Sequence, residues 1–111
     1  MSDAVPESAA LSDAHLRMSA ALAKGLADEN RLRILCCIST GKKSVGNIVD
    51  AVKLSQPLVS HHLRELKRCL LVRVERSGPF VYYETANSDV LELVRMLADV
   101  ASDLLAQRNT L

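Results

Sequence analysis

At residue 71 the chain changes its period, and that change restricts the folds open to it more than any other feature. Over residues 45–69 apolar residues recur at helical spacing: Val45, Ile48, Val49 and Val52, then, past a break at Lys53-Leu54, Leu58, Val59, Leu63, Leu66 and Cys69. From Leu71 the pattern becomes Leu71-Val72-Arg73-Val74-Glu75-Arg76, apolar and charged in alternation as in a strand. Ser77-Gly78-Pro79 is a turn, and Phe80-Val81-Tyr82-Tyr83-Glu84-Thr85 returns as a second strand. A single hairpin is at best marginally stable in water, so this one must lean on the helices. A short helix, a tight turn, a second helix and then a hairpin is the winged form of the helix-turn-helix.

The remaining punctuation supports one domain over residues 12–108, after a tail at residues 1–11. A helix is expected from Ser12 to about Ala27, with Leu16, Ala20, Ala23 and Leu26 on one side. Asp28 can cap a second helix carrying Leu32, Ile34, Leu35 and Ile38, which Thr40-Gly41 ends. Ser44 and Ser55 cap the third and fourth, and Pro57 is tolerated in a first turn, where no intrahelical N–H bond is lost. Asn87 or Ser88 opens a last helix with a stripe of Val90, Leu91, Val94, Leu97, Ala101, Leu104 and Leu105. The expected fold is mainly α with a small β-hairpin, in the order α-α-α-α-β-β-α: five helices plus a two-stranded wing.

Composition adds three constraints. The chain is 49% hydrophobic over 111 residues yet has only Phe80, Tyr82 and Tyr83 as aromatics, so the core is aliphatic. Such an apolar excess on a small helical protein suggests that a second copy covers part of it. The net charge of +1 hides an asymmetry: residues 42–76 carry Lys42, Lys43, Lys53, Arg64, Lys67, Arg68, Arg73 and Arg76 against Asp50, Glu65 and Glu75. A basic segment on an otherwise acidic body suggests a face for a polyanion. The start, MSDAVPESAALSDAH, has no leader pattern, and no apolar run approaches the roughly 18 residues that span a bilayer. A cytoplasmic protein without membrane association, its cysteines free thiols, is the expectation. An enzyme is not expected, because no phosphate loop, two-histidine metal motif or nucleophile–base pair is present.

On a helical wheel, Leu58, Val59, Leu63, Leu66 and Cys69 form the apolar arc of the fourth helix, with His62 inside it. Gln56, Pro57, Ser60, His61, Arg64, Lys67 and Arg68 form the opposite arc. The adjacent histidines point about 100° apart and cannot share a metal as an i, i+4 pair could. His62 is expected to pack inside with one ring nitrogen hydrogen-bonded, while His61 faces out. The outer arc holds donor-rich side chains of the kind that reach base edges and phosphates in the major groove. Acids or large apolar groups there would instead have suggested a winged helix that docks on protein.

LADENRLRIL, SVGNIVDAVKLSQPLVSHHLRELKRCLLV and ERSGPFVYYE together resemble the ArsR/SmtB family of winged-helix bacterial repressors, over about residues 16–105. The resemblance implies a homodimer joined by its first and last helices, bound to a palindromic operator on double-stranded DNA and released by an inducer. It implies that Ser55, Gln56, Ser60, His61 and Arg64 contact DNA, and that Arg73 and Arg76 on the hairpin contact its backbone or minor groove. Lys67 joins them from its place on the outer arc. The wing tip, Ser77-Gly78-Pro79-Phe80, departs from relatives that often carry a basic residue there.

The family's best-known metal positions are altered. Where relatives have Cys-Val-Cys in the third helix, this chain has Ser44-Val45-Gly46; where zinc sensors place Asp, two His and Glu in the last helix, it has Asp89, Leu91, Ser102 and Leu105. His15 stands alone. That leaves Cys36 and Cys37 in the second helix, Cys37 expected to point away from Ile34 and Ile38, with Cys69 as a candidate third thiol. Adjacent thiolates suit a thiophilic ion such as arsenite, which takes about three sulfurs. The alternatives are redox or persulfide sensing, or a winged-helix repressor or interaction module with no cysteine sensor. RLRILC followed by SVGNI resembles the family's sulfide-responsive branch, and Cys36 falls on one of its two sensor positions, but the second, in the last helix, has no cysteine here.

Overall fold

The structure, a computed structural model, describes residues 11–109, so the tail expected over residues 1–11 lies outside the described residues except for Leu11. The order is α1 (Asp13–Gly25), α2 (Glu29–Ile38), α3 (Val45–Val52), α4 (Gln56–Arg68), β1 (Val72–Ser77), β2 (Phe80–Thr85) and α5 (Asp89–Asn109), the expected winged helix-turn-helix order. Each helix starts where a short polar side chain takes over an orphan amide. Ser12 accepts from His15 N, Asp28 from Asn30 N at 2.8 Å and Arg31 N at 3.1 Å, Ser44 from Asn47 N, and Ser55 from Leu58 N. Asn87 Oδ1 accepts from Asp89 N at the start of α5.

The core is aliphatic, as composition requires. Ile34, Leu35 and Ile38 of α2, Ile48 of α3, Val59, Leu63 and Leu66 of α4, and Leu71 and Val72 at the root of the wing are buried together with Leu26, Val90 and Val94. The strands pair antiparallel from Val72↔Thr85 to Ser77↔Phe80. A further rung joins the wing to the segment before α3: Lys43 N donates to Tyr83 O at 3.0 Å and Tyr83 N to Lys43 O at 2.8 Å. Sequence pattern did not announce this rung, because Lys43 stands outside any alternating run.

Two helices are only partly used by the core. On α1 the expected inward set of Leu16, Ala20, Ala23 and Leu26 reduces to Leu26; the other three are exposed. On α5, Val90 and Val94 are buried and Leu91 is half-buried, whereas Leu97, Ala101, Leu104 and Leu105 are exposed. The apolar stripes are present, but in a single chain they face outward: Leu16, Met18, Leu93, Met96, Leu97, Val100, Leu104 and Leu105 are exposed large hydrophobics. The shape agrees, since the radius of gyration is 16.9 Å, where a compact chain of this length would have about 13 Å. No helix among the described residues is long and apolar enough to cross a membrane.

α1 is fastened to the body at its last turn. Gly25 and Leu26 are buried there. A Cβ placed on Gly25 would lie 2.7 Å from Leu71 Cδ1 and 2.9 Å from Cys69 Cβ, so glycine permits the close approach. Arg31 completes the joint by donating from Nε to Gly25 O at 2.8 Å and from a terminal nitrogen to Lys24 O at 3.0 Å.

Candidate nucleic-acid interface

α3 and α4 are set at their angle by a left-handed residue, Lys53 (φ 58°), whose amide closes α3 on Val49 O at 2.8 Å. α4 ends the same way. Leu70 (φ 66°) donates to Lys67 O and Leu71 to Leu66 O, each at 3.0 Å, the paired bonds of a Schellman stop with leucine where glycine is usual. Between these stops α4 buries Val59, His62, Leu63 and Leu66 and leaves its other side open. Leu58, expected in the apolar arc, is 36% exposed, because it sits in the first turn at the edge of that arc.

The expected reading residues divide into two groups. Ser55, Gln56, Arg64 and Lys67 are exposed and Ser60 is half-buried, along the side of α4 away from α1. His61 is exposed on the other flank, in a groove with Lys24 of α1, Arg31 of α2, Glu65, Arg68 and Cys69. Arg68 is engaged there by Glu65 at 3.1 Å. Among the described residues the side chains of Arg64, Lys67 and Arg76 have no ion-pair or hydrogen-bond partner, so they are available to phosphate or base.

His62 differs from expectation in one respect. It is buried as predicted, but its Nδ1 has no hydrogen-bond partner among the described residues, and its Nε2 lies 3.9 Å from Asp28 Oδ1, beyond hydrogen-bonding distance. Burial holds the imidazole below its ordinary pKa, the charges of Arg31 and His61 add to this, and only Asp28 opposes them. Burial alone would raise the Asp28 carboxyl. The amides of Arg31 and Asn30, with the charges of His62 and Arg31, outweigh it and hold the carboxyl below the usual range. The buried imidazole therefore packs beside the Asp28 cap, where α4 meets the start of α2, without a hydrogen bond to it.

The wing uses part of its charge internally. Arg73 Nε donates to Glu84 at 2.7 Å, so this expected backbone contact is held across the strands. Lys42 donates to Glu75 at 2.8 Å and sits 5.2 Å from the centre of the Tyr82 ring. Lys43 caps α2 instead, donating to Cys37 O at 2.7 Å and Thr40 Oγ1 at 2.8 Å. Of the eight cations in the basic segment, four are thus occupied by Glu65, Glu75, Glu84 or the end of α2. The pairs of Arg68 with Glu65 and of Lys43 with the end of α2 are local, whereas those of Arg73 with Glu84 and Lys42 with Glu75 depend on strand register and have no local signal in the sequence.

The thiols are arranged otherwise than expected. Cys36 is exposed, and it is Cys37 that is half-buried against the core. The buried arc of α2 centres on Ile34, Leu35 and Ile38, which puts Cys36 about 150° from its middle and Cys37 only about 105° away. Both line a groove between α2 and α3 with Glu29, Leu32, Arg33, Ala51 and Val52. Cys69 lines different grooves, with α1. Among the described residues no three His, Cys, Asp or Glu side chains come together as a metal would need. The three thiols therefore do not form one donor set within a chain. At the family's zinc positions on α5, Leu91 and Leu105 offer no donor atom, so the residues present do not fit that ion.

Known proteins give this geometry its context. Residues 28–74 match the model of the bacterial regulatory protein, arsR family. The chain is 39% identical over 74 residues to the transcriptional repressor SmtB homolog of Synechocystis, a match that takes in 67% of this chain and 56% of that one. It is 34% identical over 76 residues to the transcriptional activator HlyU of Vibrio cholerae, across 68% of this chain and 70% of that one. A homodimeric winged helix-turn-helix DNA-binding domain from Mycobacterium bovis superposes with a TM-score of 0.73 at 31% identity, covering 93% of this chain and 92% of that one. With its element order, its open reading helix and these relatives, the chain belongs to the arsR family and is a winged-helix transcriptional regulator, not an enzyme.

Proposed function

We propose that the protein is a cytoplasmic homodimeric repressor whose two α4 helices enter successive major grooves of a palindromic operator. The observation that carries this reading is the row Gln56, Ser60, Arg64 and Lys67, presented along one side of a helix that Ser55 caps. These are donors for guanine, adenine and phosphate oxygens, on an element narrow enough for the groove. The outward apolar stripes of α1 and α5 support pairing through those two helices, which would space the reading heads about 34 Å apart, one turn of DNA. Ser55, Arg73 and Arg76 would add supporting contacts, Arg73 only once its pair with Glu84 opens, and His61 would do so from the flank of α4 that faces α1.

The thiols supply the proposed control. The exposure of Cys36 favours a single reactive thiol, oxidised or persulfidated, over an arsenite-type ion held by about three sulfurs. Modification in the α2–α3 groove would release DNA by favouring a dimer geometry in which the helix spacing is wrong, at a coupling of about 1–3 kcal/mol.

The test is binding to a duplex that the protein itself selects from a random-sequence pool, measured across a salt series. Binding of two copies per duplex with a steep salt dependence is expected, and Lys67→Ala, which removes one cation from each copy, should lower the logarithmic salt slope by about two. A single bound copy, or no shift at low salt, sinks the DNA reading. For the control, polysulfide should release wild type and Cys37→Ser but not Cys36→Ser. Release of Cys36→Ser like wild type sinks the thiol assignment, and release by arsenite that needs all three cysteines restores the ion.

A further inference from the structure

Phe80 lies outside the core although it is one of only three aromatic residues in the chain. Its ring is 60% exposed at the tip of the wing. The turn is tight: Ser77 pairs with Phe80, and Gly78 takes a positive φ of 59° at the first central position, the place for glycine in a type II′ hairpin. Pro79 fixes its own φ beside it. Strand alternation puts Phe80 on the face that carries Ser77, Glu75, Tyr82 and Arg73. On that face it is braced. The rings of Phe80 and Tyr82 lie 6.3 Å apart at 33°, the Lys42 ammonium stands 5.2 Å from the Tyr82 ring centre, and Glu75 holds Lys42 at 2.8 Å. A large apolar ring is thus held out in water by a chain of contacts behind it.

Where the tip can reach follows from the fold. β1 leaves directly from the end of α4, with Leu71 and Val72 still in the core. From Val72 to Ser77 an extended strand advances about 17 Å. Half a turn of DNA is also about 17 Å, the distance from the groove that α4 would occupy to the next one. Arg76, one residue before the turn and without an ion-pair partner among the described residues, stands ready for phosphate at that point.

We infer that Phe80, backed by Tyr82, is an apolar wedge that enters the minor groove beside each reading helix and selects a flexible pyrimidine–purine step there. The inference rests on the DNA-reading role proposed above. Apolar side chains placed against such a step part the stack and kink the duplex, and TA and CA steps yield most readily. The wing would then read deformability at positions that α4 never touches.

The experiment is a selection of duplexes from one random-sequence pool by wild type, Phe80→Ala and Phe80→Leu, followed by measurement of DNA bending on the wild-type winners by gel mobility with permuted site position. Wild type should enrich a TA or CA step at a fixed offset outside each half-site and bend the duplex. Phe80→Ala should lose the preference and the bend, bind the winners about tenfold more weakly, and keep the same salt slope. Phe80→Leu should retain most of both. The melting temperature of Phe80→Ala should match wild type, since the ring packs on no buried residue. Unchanged flanking sequence and bend in Phe80→Ala overturn the wedge while leaving α4 as the reader. Failure of wild type to select any duplex overturns both.

Discussion

Gly25→Ala sets two effects of opposite sign against each other, and the geometry decides between them. Alanine is a better helix former than glycine by about 1 kcal/mol in a helix interior. Gly25 is the last residue of α1, so only a fraction of that gain is available. Against it, the new methyl would stand 2.7 Å from Leu71 Cδ1, 2.9 Å from Cys69 Cβ and 3.1 Å from Cys69 Sγ. Leu71 is 1% exposed and has no open side to move into. Forcing a methyl into a packed contact costs about 1–3 kcal/mol, so the net loss should be about 1–2 kcal/mol. At roughly 2.1 cal/mol/K of unfolding entropy per residue, that lowers the melting temperature of a chain this long by about 4–9 °C. The assay is thermal unfolding at one fixed protein concentration, because dimerisation makes the midpoint concentration-dependent. Leu71→Val removes the nearest atom, so the double variant should lose at least about 0.5 kcal/mol less than the sum of the single losses. A melting temperature that rises in Gly25→Ala, or strict additivity, would refute the claim that α1 is fastened by close approach at this point.

Two further outcomes follow from the same structure. Leu70→Gly should stabilise the fold by about 0.5–1 kcal/mol in urea unfolding: the left-handed conformation costs a branched residue about 1–2 kcal/mol, glycine gives back part of that in chain entropy, and the leucine side chain is 75% exposed and loses little packing. A loss of stability would mean that Leu70 makes a contact in the dimer. His62, neutral in the folded state near pH 7 because burial depresses its pKa, should make stability fall as pH drops below about 6.5, the unfolded value, at up to about 1.4 kcal/mol per pH unit, the loss levelling off at the folded pKa. Urea titrations between pH 7.5 and 5.5 should show this slope flattened in His62→Gln, and equal slopes in the two proteins would remove His62 from the account.

What could be read from the sequence was whatever a short segment decides for itself. Ser44 and Ser55 capped their helices as expected because an N-cap is a contact between residues three apart. The change of period at Leu71 located the wing because strand and helix patterns are both local. Contacts that depend on how elements meet were not legible. The order of Cys36 and Cys37 was inverted because Ile34 and Ile38 lie about 60° and 100° from Cys37 round α2 but about 160° from Cys36. Arg73 looked free until strand register set Glu84 opposite it. His62 was expected to have a hydrogen bond, and the packing of α4 on α2 left its Nδ1 without one. On α1 and α5 the stripes were read correctly as apolar, but no wheel says whether a stripe is covered by its own chain or by another.

The rung between Lys43 and Tyr83 has a mechanical consequence. Two backbone hydrogen bonds stitch the entrance of the helix-turn-helix to the return strand of the wing. Wing and reading helix are therefore mounted on one plate, and a tilt of either carries the other along. A groove-sized misalignment cannot be absorbed by letting one element swing while its neighbour keeps its grip. On the proposed DNA-reading role, such a head would let go of a duplex all at once, and a small rotation at its base would be enough to work the latch.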